Sequence, residues 1–334
     1  MIKSKSDLTN ELVFEKTDFK LISSESSSKG NVTKYTDGKL WIKTNNRGYE
    51  ALAEVLSSRV VKALGFQTVE YKPCFISRNA YEVESACFSE SFTENKTEYT
   101  IGRLLQQYGG FSNSDDMYET FRAIPDVISR IRWVLDLLAP LGTMQYLVYA
   151  LAELIWIDSI ILNEDRHLFN LVLLRDSKNR FQLINFDYGA ALLSDLVDYP
   201  LAMPLQQAIY SVESKPFSRH FSSQLQAFQA YLPTSFSDDI TVNISDLYTY
   251  FKTEHIARCL SILSYTFHLF RRINYYFILF IPVAISRINN RCRDDVYLYQ
   301  LRTVATVVMP AFFVMYFFLL KDDSLNVMNY RFFF

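Results

Sequence analysis

Two acidic segments, separated by a short predicted hairpin, carry the residue types that phosphoryl transfer requires. Residues 163–170 read N-E-D-R-H-L-F-N, and residues 186–189 read F-D-Y-G. The chemistry needs a carboxylate that orients the attacking hydroxyl, an amide oxygen on a metal ion and a second carboxylate on that metal. Asp165, Asn170 and Asp187 can fill these roles in that order.

The spacing within the first segment matches a known catalytic loop. Asn170 follows Asp165 by five residues, as the asparagine follows the aspartate in the kinase loop H-R-D-x-x-x-x-N. His167, however, lies after the aspartate instead of before it, and no A-P-E sequence follows Asp187. An ordinary eukaryotic-type protein kinase is therefore not the expected class.

The histidine after the aspartate gives the segment its family resemblance. It resembles the HipA-type kinases, including the bacterial cell-translocating kinase A group, and the D-R-H-x-x-N…D-F-G core of phosphatidylinositol 3- and 4-kinases. The resemblance covers roughly residues 23–189 and implies an α+β, two-lobed protein-kinase-like fold with a small β-rich N-lobe and a mainly helical C-lobe. It implies ATP and Mg²⁺ as cofactors, with Asp165 and His167 as catalytic residues and Asn170 and Asp187 as metal ligands. His167 either contacts the γ-phosphate or braces the loop by hydrogen bonding to the backbone.

A Ser- and Gly-rich stretch and a lysine strand predict the nucleotide site. Residues 23–30 form a small, flexible loop of the kind that brings backbone N–H groups close to phosphates, with Ser28 and Gly30 as predicted contacts. Lys43 ends the strand pattern L-W-I-K, which is similar to the V-A-I-K of kinases. There the lysine contacts the α- and β-phosphates and pairs with a glutamate on a helix.

The glutamate partner lies on a predicted helix at residues 49–64, which ends at Gly65. Glu50 and Glu54 are four residues apart on one face of this helix. We favour Glu54, because its distance from Gly65 resembles the HipA-type pattern. Glu50 is the alternative.

Turn chemistry and periodicity predict the elements that position these residues. Asp37-Gly38 predicts a β-hairpin at residues 31–44, and the polar run 176–180 predicts a second hairpin that brings Asn170 and Asp187 together. An apolar stripe predicts a core helix at 143–162, on which Asp158 is a scaffold residue. The other predicted elements are strands at 69–76 and 81–88, a polar hinge at 90–98, and helices at 101–108 and 115–138, the last with a break near Pro125.

Length and composition favour a two-lobed domain followed by an apolar tail. The chain has 334 residues, and we predict an N-lobe at 1–95, a C-lobe at 96–254 and a hydrophobic helical segment at 255–334. The net charge of −2 gives no electrostatic reason to expect nucleic acid. The four cysteines show no metal or disulfide spacing, and the polar N-terminus lacks a signal-peptide pattern. These features predict a cytoplasmic protein, or one exported without a classical signal peptide.

The tail allows three interpretations. Residues 303–320 are an uncharged run of marginal membrane-spanning length, and 273–286 form a shorter apolar run. In the first interpretation both runs are buried helices. In the second, residues 303–320 contact a membrane. In the third, a reading-frame change has altered the tail.

Together these features predict an ATP- and Mg²⁺-dependent protein kinase that acts on Ser or Thr hydroxyls of a protein substrate, with Tyr as an alternative. The HipA-type resemblance further implies autophosphorylation within the serines of residues 23–28. Two rivals are a phosphoinositide-type lipid kinase and a catalytically inactive kinase fold that serves as an interaction module. The segment 190–204 contains no Lys or Arg to bind an anionic headgroup, which favours a protein substrate over a lipid.

Overall fold

A mixed β-sheet forms the N-terminal part of the protein. The computed structural model describes residues 1–8, 11–22, 32–93, 96–233 and 241–266. Within these residues the strands of the sheet are β1 (Ile2–Ser4), β2 (Val13–Phe14), β3 (Lys20–Ile22), β4 (Lys34–Thr36), β5 (Leu40–Thr44), β6 (Lys72–Ser77) and β7 (Glu82–Glu90). Their order is β2-β6-β7-β5-β4-β3, and β1 pairs with β7. The β2–β6 pair is parallel and the other pairs are antiparallel.

The hairpin of β4 and β5 confirms the turn predicted from Asp37-Gly38. Gly38 adopts a φ of +92°, a value that glycine reaches without strain. The Asp37 carboxylate accepts hydrogen bonds from the backbone N–H groups of Lys39 and Leu40. Beyond the turn, the register places Lys43 opposite Cys87 of the central strand β7.

The first helix, α1 (Glu50–Ala63), packs against β5, β6 and β7. It ends as predicted, because Gly65 has a φ of +89° and follows the last turn. The N–H groups of Gly65 and Phe66 donate to the carbonyls of Lys62 and Val61, a Schellman arrangement that satisfies the final carbonyls of the helix. The sheet face carries an apolar cluster that includes Ile42, Cys74, Ile76 and Ala86.

Helices and a small sheet make up the rest of the described chain. The helices are α2 (Ile101–Gly109), α3 (Ser114–Ala123), α4 (Val127–Leu138), α5 (Met144–Ile161), α6 (Leu205–Ser211), α7 (Phe221–Ala227), α8 (Leu247–Tyr250) and α9 (Thr253–Thr266). Strands β8 (Thr97–Thr100), β9 (Val172–Arg175) and β10 (Phe181–Ile184) form an antiparallel sheet in the order β10-β9-β8. Helices α2, α4 and α5 supply much of one large apolar core.

Helix α5 is central to this core. By length and composition alone it could cross a membrane, but Leu147, Leu151 and Leu154 are buried within the core cluster. Helix α9 packs on α5, where the Thr266 hydroxyl donates to the carbonyl of Ile160 at 2.6 Å. The described residues belong to one compact unit, which includes α9.

The α+β class predicted from the sequence is confirmed, with β-rich structure first and helices after it. The hairpin of β9 and β10 and the break between α3 and α4 are also confirmed. The sequence missed β1, β2 and β3, and part of the predicted polar hinge is strand β8. Ser28, Gly30 and residues 267–334 lie outside the described residues, so the predictions made for them stay predictions.

Candidate functional site

Lys43, Glu54 and Asp187 converge from three separate elements. The Lys43 ammonium on β5 donates to the Glu54 carboxylate on α1 and to Asp187 Oδ1 at 2.5 Å. Lys43 and Glu54 are almost fully buried. One cation is therefore shared by two carboxylates, an arrangement that burial permits only when the charges are paired.

The choice between the two candidate glutamates follows from their contacts. Glu54 pairs with Lys43, and its Oε2 also accepts the backbone N–H of Tyr188 at 2.8 Å. Glu50 instead accepts backbone N–H groups of Asn46, Arg47 and Gly48 through its two carboxylate oxygens. Glu54 thus ties α1 to the second acidic segment, while Glu50 caps the entry to the helix.

The charges of the cluster keep Lys43 and Asp187 ionised. Although burial disfavours its charge, Asp187 and Glu54 hold the pKa of Lys43 well above its usual value. Burial also opposes ionisation of Asp187, but Lys34 and Lys43 hold the pKa of that carboxyl below its usual value. Burial raises the pKa of Glu54 against the attraction of Lys43. Asp187 is therefore the carboxylate of the cluster that is most firmly anionic.

A buried ion pair lies beneath the first acidic segment. Arg166 is 1% exposed, and its Nε and Nη2 donate to the two oxygens of Asp158 on α5, at 2.9 and 3.1 Å. Its Nη1 donates to the backbone carbonyls of Asn170 and Phe186, at 3.3 and 2.7 Å. One guanidinium thereby connects both acidic segments to α5, which agrees with the scaffold role predicted for Asp158.

Hydrogen bonds within the first segment fix the orientation of its side chains. Asn170 Nδ2 donates to the carbonyl of Asp165 at 2.9 Å, which uses the donor end of the amide and leaves its oxygen as an acceptor. His167 Nδ1 accepts the backbone N–H of Phe169 at 3.2 Å. Burial lowers the pKa of His167, so the neutral imidazole is favoured. This contact corresponds to the bracing role among the two considered for His167.

Sequence reasoning missed Lys215, which contacts Asp165. Its ammonium donates to Asp165 Oδ1 at 2.8 Å, although it lies fifty residues further along the chain. It follows α6 in a loop with no local motif, so no sequence signal connects it to Asp165.

The two acidic segments and the loop of Lys215 contribute side chains to a cleft of about 1090 Å³. His167, Asn170, Asp187 and Lys215 line it together. Its volume is slightly above the usual range of about 300–1,000 Å³ for small-molecule sites, which suits a nucleotide together with part of an acceptor. The charged lining side chains also include Lys34, Arg103, Asp115, Arg122, Arg130 and Arg219.

The donor set of the cleft fits a magnesium ion shared with phosphates. Mg²⁺ is usually held by one or two carboxylates, with phosphate and water oxygens completing six positions. Asn170 and Asp187 offer an amide oxygen and an anionic carboxylate on the same cleft. Within the described ranges no group of three or more His, Cys, Asp or Glu could hold a metal by itself.

Comparisons with known proteins give structural neighbours but no family. No protein-family model matches the chain, and none of the curated proteins matches it. The structure is similar to the Helicobacter pylori proinflammatory kinase CtkA, with 12% identity, a TM-score of 0.46, and coverage of 76% of this chain and 94% of that chain. It is also similar to the Shewanella oneidensis MR-1 toxin–antitoxin complex of HipA, HipB and operator DNA, with 14% identity, a TM-score of 0.33, and coverage of 69% of this chain and 52% of that chain.

Both neighbours bear the names of the kinases that the sequence motif resembles. At these TM-scores and identities the similarity carries no functional argument, so a function must be argued from the site itself. The link to phosphatidylinositol kinases stays a prediction.

Proposed function

We propose that the protein is an ATP- and Mg²⁺-dependent protein kinase that transfers the γ-phosphoryl group of ATP to Ser or Thr hydroxyls. The observation that carries the proposal is the contact of one buried ammonium, Lys43, with both Glu54 and Asp187. A lysine–glutamate pair beside an aspartate that binds Mg²⁺ is the arrangement that protein kinases use for phosphoryl transfer, and these three residues have the side chains it needs. Asp165 and Asn170 belong to the adjoining loop, which the Arg166 guanidinium connects to the Asp187 segment.

The chain supplies binding, charge and orientation to the reaction. Lys43 would bind nucleotide phosphates, and Asn170 and Asp187 would hold the metal ion, which when bound neutralises phosphate charge. Asp165 would orient the acceptor hydroxyl and accept its proton. The hydroxyl oxygen forms a bond to the γ-phosphorus while the bond from that phosphorus to the bridging oxygen breaks, and ADP leaves.

The proposal is tested by incubating the purified full chain with γ-labelled ATP, Mg²⁺ and a dephosphorylated protein mixture such as casein. We expect label on protein, and we expect Lys43→Met and Asp165→Asn each to abolish most of it. Lys72→Met and Asp136→Asn are matched controls, because both residues are exposed and lie outside the cleft. Nucleotide binding without label transfer would instead support the inactive interaction module.

A phosphoinositide kinase is the second candidate, and the charge of the cleft favours it. Among the described residues, six Lys or Arg side chains and two Asp side chains line the cleft, although the segment 190–204 has no cation. An anionic headgroup could use this excess of positive charge. Parallel reactions with phosphatidylinositol vesicles decide between the two: label in the lipid fraction alone would replace the protein-kinase proposal.

Autophosphorylation within residues 23–28 remains part of the proposal, carried by the family resemblance. A phosphoserine there would add roughly two negative charges beside the nucleotide phosphates and lower ATP affinity by repulsion. Mass spectrometry after incubation with ATP, beside the Asp165→Asn variant, tests this. Phosphate found only at other positions would contradict it.

A further inference from the structure

The loop that carries Lys215 is built around a buried glutamine. We call residues 214–219 the lysine loop. The Ser214 N–H donates to the carbonyl of Arg219 at 2.9 Å, and the Ser214 hydroxyl donates to the carbonyl of Ser218 at 2.7 Å. Gln224, which is 1% exposed, accepts the N–H of Phe217 and donates to the carbonyl of Lys215, both at 3.1 Å.

The lysine loop is also anchored in the helical core. The Phe217 ring is fully buried and packs against Phe121 and Phe228. Arg130 on α4 donates from Nη1 to the Phe217 carbonyl at 2.9 Å. Buried groups hold the backbone on both sides of Lys215 in place. The Lys215 ammonium therefore contacts Asp165 from a rigid loop.

Stability alone does not account for this construction. The Lys215 side chain is 33% exposed and the Asp165 side chain 11% exposed, and a partly exposed ion pair contributes little to folding. Phe217 and Gln224 could be buried equally well with an uncharged residue at position 215. What the loop adds is a cation beside Asp165, the carboxylate proposed above to orient the acceptor hydroxyl.

We propose that Lys215 is a positioning residue for phosphoryl transfer, which holds the Asp165 carboxylate toward the acceptor and carries positive charge into the acceptor side of the cleft. This inference rests on the proposed kinase function. A hydroxyl bonded to Asp165 Oδ1 at about 2.7 Å would lie within about 5.5 Å of the Lys215 ammonium, since the ammonium is 2.8 Å from Oδ1. Lys43 makes the corresponding contact on the proposed nucleotide side, where its ammonium donates to Asp187.

The proposed step assigns each proton and bond. The acceptor oxygen bonds to the γ-phosphorus, the bond to the ADP oxygen breaks, and the hydroxyl proton moves to Asp165. Lys215 keeps its protons throughout, and its hydrogen bond holds the Asp165 carboxylate in the orientation that accepts this proton. Its contribution therefore belongs to the transition state and not to nucleotide binding.

Lys215→Met in the full chain tests the inference. We expect kcat to fall roughly a hundredfold, as for other preorganised charge donors. We expect the affinity for a fluorescent ATP analogue, measured without turnover, to stay within about twofold, because Lys43, Asn170 and Asp187 are unchanged. The melting temperature should match that of Lys178→Met, a control at an exposed hairpin lysine whose kcat should not change.

Chemical rescue separates a charge effect from a packing effect. Lys215→Cys treated with bromoethylamine gains a side chain that is nearly isosteric with lysine, and we expect it to recover at least a tenth of the wild-type kcat. Wild-type protein treated in the same way controls for the native cysteines, of which Cys74, Cys87 and Cys259 are buried.

Each outcome of these experiments has a defined meaning. Loss of kcat with retained nucleotide affinity and recovery on aminoethylation supports the role of Lys215. Unchanged kcat in Lys215→Met, or parallel loss of kcat, nucleotide affinity and melting temperature without recovery, overturns it while the kinase function stands. Wild-type protein that transfers no phosphoryl group refutes the kinase function, and this inference with it.

Discussion

Replacing Asp158 by Ala should destabilise the protein more than any exposed substitution. Arg166 is fully buried and donates two hydrogen bonds to Asp158, so the change leaves a buried guanidinium without its carboxylate. Removing one partner of a buried pair typically costs about 3–5 kcal/mol. With about 2–4 °C of melting temperature per kcal/mol in domains of comparable size, the expected decrease is roughly 6–20 °C.

A double change tests whether the loss of stability comes from leaving Arg166 buried without its carboxylate. Burial raises the pKa of Asp158 even with Arg166 beside it, so the ionised carboxylate gains less from its partner than it loses in hydration. The double change of Asp158→Leu and Arg166→Met removes both charges, and apolar pairs often replace buried ion pairs without loss. Its cost should be about 3 kcal/mol smaller than the sum of the two single changes, the upper end of measured pair couplings.

The double variant should nevertheless lose phosphoryl transfer. Arg166 also holds the carbonyls of Asn170 and Phe186, and methionine cannot donate to them. Thermal melting and urea midpoints measure stability, and labelled ATP measures transfer. If Asp158→Ala melts within 2 °C of wild type, Arg166 is not a buried charge that depends on Asp158, and this account of the scaffold is wrong.

Three further predictions address other parts of the site. Glu50→Ala should lower the free energy of unfolding by about 1–3 kcal/mol, because three backbone N–H groups lose their acceptor. Glu54→Gln should reduce phosphoryl transfer more than it reduces stability. Urea titration and the labelled-ATP assay compare the two variants, and the opposite pattern would reverse the two roles. Burial lowers the pKa of His167 from 6.5, so its contribution to stability is complete above pH 6.5 and is lost as the pH falls through the pKa of the folded state. Between pH 7.5 and 5 the urea midpoint should therefore fall less for His167→Gln than for wild type. Parallel curves for the two proteins would contradict this. Gly48→Ala should lower the free energy of unfolding by about 3 kcal/mol, because a Cβ would lie 1.9 Å from the Ser194 carbonyl oxygen. Gly189→Ala should change it by no more than about 1 kcal/mol, because its Cβ would lie 3.4 Å from Glu54. Equal melting temperatures of the two variants would refute the steric argument.

Local signals made much of the structure predictable from sequence. The Asp37-Gly38 turn, the 176–180 turn and the Gly65 helix end depend on backbone preferences within a few residues, and all three were predicted correctly. The strands β1, β2 and β3 have two or three residues each, and β1 and β2 pair with β7 and β6, about sixty to eighty positions away. Strands this short leave no periodic pattern, so only the folded sheet reveals them.

The acidic and basic halves of the site differ in how visible they are in sequence. Asp165, Asn170 and Asp187 stand in two short motifs, because one loop and one turn must present them at fixed spacing. Their cations are not bound by that constraint, since a long side chain can reach a carboxylate from any neighbouring element. Lys43 was predicted because its strand has a pattern of its own, while Lys215 comes from a loop shaped by Gln224.

Charge balance offers a physical route to such missing residues. A carboxylate that is taken out of water must find a cation or several donors. Here the buried acids do so, with Glu54 and Asp187 on Lys43, Asp158 on Arg166 and Asp165 on Lys215. Once a sequence motif predicts several acids in one site, the fold must therefore bring cations or backbone donors to them. Lys43 and Arg166 pair with three of these acids, and Lys215 supplies a cation to the fourth, Asp165.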